Sequence, residues 1–180
     1  ECTLDEVIHR IKSGETQEQI HTLRKLKADG KEEEYGIAKK QLISFTASGT
    51  FKNGRKATDR DTYSGNIVID VDKLPPVLLK QCEQIAKLHP YTHACFISPG
   101  GDGLKIIVRT TSTPETHKDV FSALKNFIEE LLNVYIDESK HPNFNFSLAA
   151  LVLTNQDSQM INERIISAYH AVGLNPKNFE

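Results

Sequence analysis

The sequence predicts an α+β domain, a ferredoxin-like or RRM-like core sheet in the order β-α-β-β-α-β behind an N-terminal helical extension. Three observations predict it. A β-branched run, Ile67-Val68-Ile69, ends in Asp70-Val71-Asp72 and reads as a strand. A short glycine turn, Pro99-Gly100-Gly101-Asp102-Gly103, joins two further apolar runs closely enough to make them antiparallel. Thr113-Pro114-Glu115 opens a helix with a capping residue, then Pro at the first helical position, then acid in the first turn. The 180 residues correspond to about one domain, long enough to bury a core without staples. The expected layout is a single domain 1–180, with a helical extension at 1–42, a basic loop or hairpin at 43–65 and the core at 66–172.

In chain order, Thr3-Leu4-Asp5-Glu6 fits a capping box, Val7 and Ile11 share one helical face, and Gly14 ends the helix. Thr16 opens a second helix with the apolar stripe Ile20, Leu23 and Leu26. Arg24, Lys25 and Lys27 form its basic face, and Asp29-Gly30 stops it. A third helix is expected from Glu32 to Leu42. Residues 43–51 turn to Ser, Thr and Phe, and Asn53-Gly54 is a strong turn signal. The core follows: a strand at Asn66–Asp72, a helix from Pro75-Pro76 to Leu88, strands at His93–Ser98 and Leu104–Arg109, and a helix from Thr113 to Tyr135. Beyond Ile136-Asp137 and a loop at His141-Pro142-Asn143, a fourth strand is expected at Ser147–Leu153 and a last helix at Ser158–Val172.

Charge and cysteines narrow the function classes. The net charge is −2, unlike a chain coated in basic residues for gripping DNA. The charge is uneven: Lys39, Lys40, Lys52, Arg55, Lys56 and Arg60 face only Asp59, a local net of +5. That stretch is either a solvated loop or a phosphate-contacting arm. Cys2, Cys82 and Cys95 are odd in number and lack CxxC spacing, which predicts a reducing, cytoplasmic setting, with Cys95 in the core. His89 and His93 are separated by Pro90, which argues against a shared helical face and a zinc site. No apolar run approaches membrane-spanning length. The chain begins at Glu1 rather than Met, from which an excerpt or processed form of a longer protein is expected.

Two strings carry chemistry. Residues two apart on a strand point to one face, so Asp70 and Asp72 project together while Val71 faces the core. Paired carboxylates repel unless a cation lies between them, and all-oxygen ligands at that spacing suit Mg2+ or Mn2+. Metal-dependent phosphoryl or nucleotidyl transfer uses such a pair; equally, a strand end can use two acids to cap the next turn. In Ser98-Pro99-Gly100-Gly101-Asp102-Gly103-Leu104-Lys105, the glycines let backbone N–H groups approach an anion and Lys105 can neutralise a phosphate. The same string also reads as an ordinary hairpin turn, and it lacks the P-loop spacing. Lys105 and Ile107 share one strand face, with Leu104, Ile106 and Val108 on the other. Asp137 gains meaning only if the fold brings it to the other two acids.

These strings, in this order, resemble the archaeo-eukaryotic primase-polymerase superfamily. There, a strand bearing two alternating acids, a Ser-Gly-rich hairpin ending in a basic residue and a later acid form the catalytic domain. The chain is more closely similar to the VirE-type N-terminal domain family of Bacteroidetes and mobile-element proteins. The similarity rests on Leu23–Lys27, Tyr35 with Lys39-Lys40-Gln41-Leu42, Phe45–Phe51, Ser64-Gly65, Asp70-Val71-Asp72 and Ser98–Lys105. The resemblance implies a primase-polymerase-like fold with Asp70, Asp72 and Asp137 as catalytic, metal-binding carboxylates for Mg2+ or Mn2+. It implies Ser98, Gly100, Gly101, Gly103 and Lys105 as the nucleotide-binding residues, with nucleoside triphosphates and single-stranded DNA or RNA as partners. It further implies a role in replication of mobile elements and an attached C-terminal helicase or primase-associated domain. Lys52, Arg55, Lys56 and Arg60 are the expected nucleic-acid contacts. Two features depart from the pattern: Lys105 stands where His is usual, and Phe146–Leu151 offers no Arg. The expectations are therefore nucleotidyl transfer, a non-catalytic module binding single strands or nucleotides beside a helicase, or a metal-dependent phosphohydrolase or nuclease.

Overall fold

The computed structural model describes residues 2–54, 56–88, 91–126 and 128. The chain divides into two compact units, residues 1–110 and 111–180. The first unit opens with three helices, α1 (Leu4–Ser13), α2 (Gln17–Ala28) and α3 (Glu32–Gln41). The capping box at α1 forms as the sequence predicts: the Thr3 hydroxyl accepts from the Glu6 N–H at 3.2 Å, and the Glu6 carboxylate accepts from the Thr3 N–H at 2.6 Å. Gly14 caps the other end. Leu23, only 1% exposed, is the side chain that commits α2 to the core. Its neighbours Ile20 and Leu26 are half-buried, as their spacing predicts.

Residues 51–54 and 56–60 make a short return of the chain within the segment expected as a basic loop or hairpin. Phe51 bridges to Arg60, the Lys52 N–H donates to the Asp59 carbonyl at 3.0 Å, and a 3-10 turn at Ala57–Asp59 makes the return. The sheet follows: β1 (Asn66–Val71), α4 (Pro76–Leu88), β2 (Thr92–Ile97) and β3 (Leu104–Arg109). β3 lies between the other two and is antiparallel to both. β1 and β2 therefore run parallel, joined through α4, in a β-α-β unit split by the third strand. Opposite residues share a face, so Ile67 with Val108, Ile69 with Ile106 and Val71 with Leu104 line one side. Of these, Ile67, Ile69, Leu104, Ile106 and Val108 are all buried. α4 packs against β2 and β3 and buries Leu79, Cys82 and Ala86. Each fully buried aliphatic side chain in this layer is worth roughly 1.5–3 kcal/mol relative to exposure. Cys95 is half-buried there, and burial pushes its thiol up to about 11. The opposite side of the sheet carries Val68, Asp70, Lys105 and Ile107.

In the second unit, a turn at 114–116 precedes a helix over 117–126. The predicted start at Thr113 is three residues early. The Thr113 N–H is taken by the Thr116 hydroxyl at 2.9 Å, and the first helical bond runs from the Val120 N–H to the Thr116 carbonyl at 3.0 Å. Thr116 therefore stands at the cap. The expected continuation to Tyr135, the Ile136-Asp137 pair, the fourth strand at Ser147–Leu153 and the last helix at Ser158–Val172 lie outside the described residues. Among the described residues, no helix is long and apolar enough to cross a membrane.

Candidate functional site

The site begins with strand register. Asp70 on β1 stands directly opposite Lys105 on β3, and Lys105 Nζ reaches Asp70 Oδ1 at 2.6 Å. Both side chains keep access to solvent, at 51% for Asp70 and 32% for Lys105. A cation thus stands beside the first of the two acids, as electrostatics requires of paired carboxylates, and it comes from the protein itself. Asp72 lies one residue beyond the end of β1. Lys73 then takes a left-handed backbone conformation (φ 60°), which turns the chain away sharply. The Leu74 N–H donates to the Asp102 carbonyl at 2.7 Å, fastening the exit of β1 to the glycine hairpin.

Gly103 explains how the hairpin and the acids meet. A Cβ at that position would lie 2.9 Å from the Val71 carbonyl oxygen and 3.0 Å from both Asp72 Oδ1 and Ser98 Oγ. Only a residue without a side chain lets the carboxylate and the hydroxyl converge over this backbone. The turn closes with the Ser98 N–H on the Gly103 carbonyl at 2.8 Å and the Gly101 N–H on the Ser98 carbonyl at 3.0 Å. Gly101 adopts φ 84°, the conformation that favours glycine.

The helical extension grips the other side of this hairpin. Arg24 donates from Nε to the Pro99 carbonyl at 3.2 Å and from Nη2 to the Ser98 carbonyl at 3.3 Å. Lys27 donates to the Gly100 carbonyl at 3.4 Å and pairs with Asp102 at 2.6 Å. That hydrogen bond holds the Asp102 carboxyl below the usual carboxylate range. Lys27 and Lys39 both stand over the Tyr35 ring, at 5.9 and 5.7 Å from its centre. The sequence shows the basic face of α2 but not its target. The available signal is the i, i+3 spacing of Arg24 and Lys27, which puts both on one face.

The predicted nucleic-acid contacts fare unequally. Lys52 pairs with Asp61 at 2.5 Å. The Arg60 guanidinium stands over the Tyr63 ring at 5.2 Å, and its buried Nε has no hydrogen-bond partner among the described residues. Lys56 is exposed. Arg55 and Asp137 lie outside the described residues.

Among the described residues, no three His, Cys, Asp or Glu side chains gather as a metal-binding group. Asp70 projects from the sheet face that carries Lys105, and the Lys105 ammonium on it marks a place that attracts positive charge; Asp72 Oδ1 lies over Gly103 at the strand's exit. Carboxylate oxygens of this kind are the donors a hard divalent ion takes.

No curated protein and no solved structure matches the chain. The family model described as BT4734-like, N-terminal domain matches residues 37–144. This span contains the three described strands, Asp70, Asp72, the glycine hairpin and Lys105, as well as position 137. It excludes α1, α2 and Tyr35. With more than half of its length and the whole described sheet inside that match, the chain belongs to the BT4734-like N-terminal domain family.

Proposed function

We propose that this chain is a nucleic-acid-processing domain of primase-polymerase type, similar to VirE-type N-terminal domains, and that its chemistry is divalent-cation-dependent nucleotidyl transfer. One observation supports this reading above all: a single sheet face presents Asp70 and Lys105 in register, with Asp72 and Ser98 converging on Gly103 beside them. The strand order β1-β3-β2 is the order that the first three strands of a ferredoxin-like sheet take, and the strand expected at Ser147–Leu153 would be the fourth.

In this reading Asp70 and Asp72 would hold Mg2+ or Mn2+; the third acid that the resemblance implies, Asp137, lies outside the described residues. The ion supplies charge neutralisation for a triphosphate and activates the attacking hydroxyl. The glycine hairpin offers the Gly100 N–H, and the Ser98 hydroxyl offers a further donor. Lys105 has a flexible four-carbon stem, so its ammonium swings from Asp70 to a phosphate oxygen when the carboxylate takes another cation. Lys52, Lys56 and Arg60, with Arg55 outside the described residues, are in this reading the contacts to the single strand, and a helicase or primase-associated domain would act on the same strand. Primer or dinucleotide synthesis from labelled dNTPs and NTPs with Mn2+ tests the reading. Product from the natural chain and none from Asp70→Asn is the expected result; no product on any template removes catalysis.

A second reading has its own observation. Lys105 stands where the superfamily usually has His, and its ammonium already neutralises Asp70. A non-catalytic module that binds nucleotides or single strands keeps that pair closed. It predicts single-strand affinity that falls steeply with salt and weakens when Lys52, Arg55 and Lys56 are neutralised together, without synthesis under any condition.

A further inference from the structure

We propose that Arg24 and Lys27 of α2 are positioning residues for the triphosphate, because they fix the side of the glycine hairpin to which the Gly100 N–H points; this rests on the triphosphate site proposed above. The argument starts from peptide geometry. The described chain has no cis peptide bond, and in a planar trans peptide the C=O and the following N–H point in opposite directions. Arg24 and Lys27 together collect the carbonyls of Ser98, Pro99 and Gly100. The Pro99–Gly100 peptide therefore has its oxygen toward α2 and the Gly100 N–H away from it. In the next peptide, the Gly100 oxygen is held by Lys27 while the Gly101 N–H turns inward to the Ser98 carbonyl.

This choice is not automatic before a glycine. Without a Cβ on Gly100, the Pro99–Gly100 peptide rotates at lower steric cost. Rotation would bring the Pro99 carbonyl oxygen to the side where an anion needs the Gly100 N–H. Cationic donors on the three carbonyls stabilise one orientation, and charge-assisted hydrogen bonds are the stronger kind. The clamp is itself anchored. Leu23, next to Arg24, is 1% exposed, and Lys27 is held by Asp102 from within the hairpin. Tyr35 Oη lies 2.9 Å from where a Gly100 Cβ would stand, so α3 closes the same side. Arg24, Lys27 and Tyr35 all precede the span 37–144. The N-terminal helices thus give this chain's hairpin a support that the matched segment does not contain.

The test is titration of the full chain with a nucleoside triphosphate plus Mn2+, and with Mn2+ alone, comparing the natural protein with Arg24→Ala/Lys27→Ala. Triphosphate affinity is expected to fall by about tenfold or more, while affinity for Mn2+ alone stays unchanged. Lys27→Arg, which keeps a cationic donor, is expected to restore most of the affinity in the Arg24 background. If the alanine pair fails to fold, Arg24→Gln/Lys27→Gln keeps neutral donors and is read the same way. Triphosphate affinity equal to the natural protein's in a folded double variant overturns the proposal but leaves the triphosphate site standing. A natural protein that binds no triphosphate overturns both.

Discussion

Replacing Lys105 by Met separates the roles open to this side chain. Methionine keeps most of the apolar stem and removes the ammonium that sits 2.6 Å from Asp70. With Asp70 51% and Lys105 32% exposed, the lost ion pair is worth roughly 0.2–1 kcal/mol, so the variant stays folded. The same energy bounds the competition between the tethered ammonium and a divalent ion for Asp70. Affinity for Mn2+ alone should therefore rise, by no more than about fivefold. Triphosphate binding should move the other way. A charge-assisted hydrogen bond to phosphate is worth roughly 1.5–3 kcal/mol, and its loss weakens affinity about ten- to hundredfold. Calorimetric titration with Mn2+, and then with a triphosphate at saturating Mn2+, measures both. Opposite shifts are the signature of a lysine that leaves the carboxylate for the phosphate. Tighter metal binding with unchanged triphosphate affinity would refute that role and leave Lys105 a counter-ion only.

Three other outcomes are expected. Gly103→Ala puts a Cβ 2.9 Å from the Val71 carbonyl, a backbone atom that cannot withdraw without disturbing the β1–β3 register; a loss of roughly 1–3 kcal/mol in denaturant unfolding is expected, together with loss of triphosphate binding. Ile107→Ala empties a fully buried position on the central strand and should cost roughly 2–5 kcal/mol in the same unfolding measurement. Lys27 lowers the Asp102 carboxyl, so this pair's contribution to stability is complete above the unfolded carboxylate value, about 4, and is lost as pH falls through the lower folded value. The amide signals of Gly100 and Gly101 should hold from neutrality to about pH 5 and change only in stronger acid; loss of the hairpin signals near pH 6 would contradict the pairing.

Local chemistry made much of the first unit legible. Thr3 and Glu6 announce the start of α1 because the capping box satisfies two backbone donors by itself. The alternation in Ile67-Val68-Ile69-Asp70 announces which residues face α4, because a strand has no other way to divide two faces. The same period sets Asp70 on the face opposite α4, whereas Asp72 falls one residue past the strand's end. What the sequence does not show is who meets these residues. The Asp70–Lys105 contact depends on the register of two strands whose acids and bases lie 35 positions apart. The grip of Arg24 and Lys27 on the hairpin spans more than 70 positions and uses backbone carbonyls, which leave no trace in residue type. Lys73 carries no mark of its left-handed turn, since Gly or Asn is the usual residue there. The start of the helix over 117–126 moved for a local reason: Thr116 competes with Thr113 as the cap.

If the two acids and the glycine hairpin act as one site, triphosphate binding depends on the metal, and that dependence is the most direct test. Calorimetry of a nucleoside triphosphate against the natural chain, with and without Mn2+, and against Asp70→Asn/Asp72→Asn, is the measurement. Binding that requires Mn2+ in the natural chain and disappears in the double variant is the predicted result. Equal binding with and without the metal, or binding that survives loss of both acids, would contradict the account.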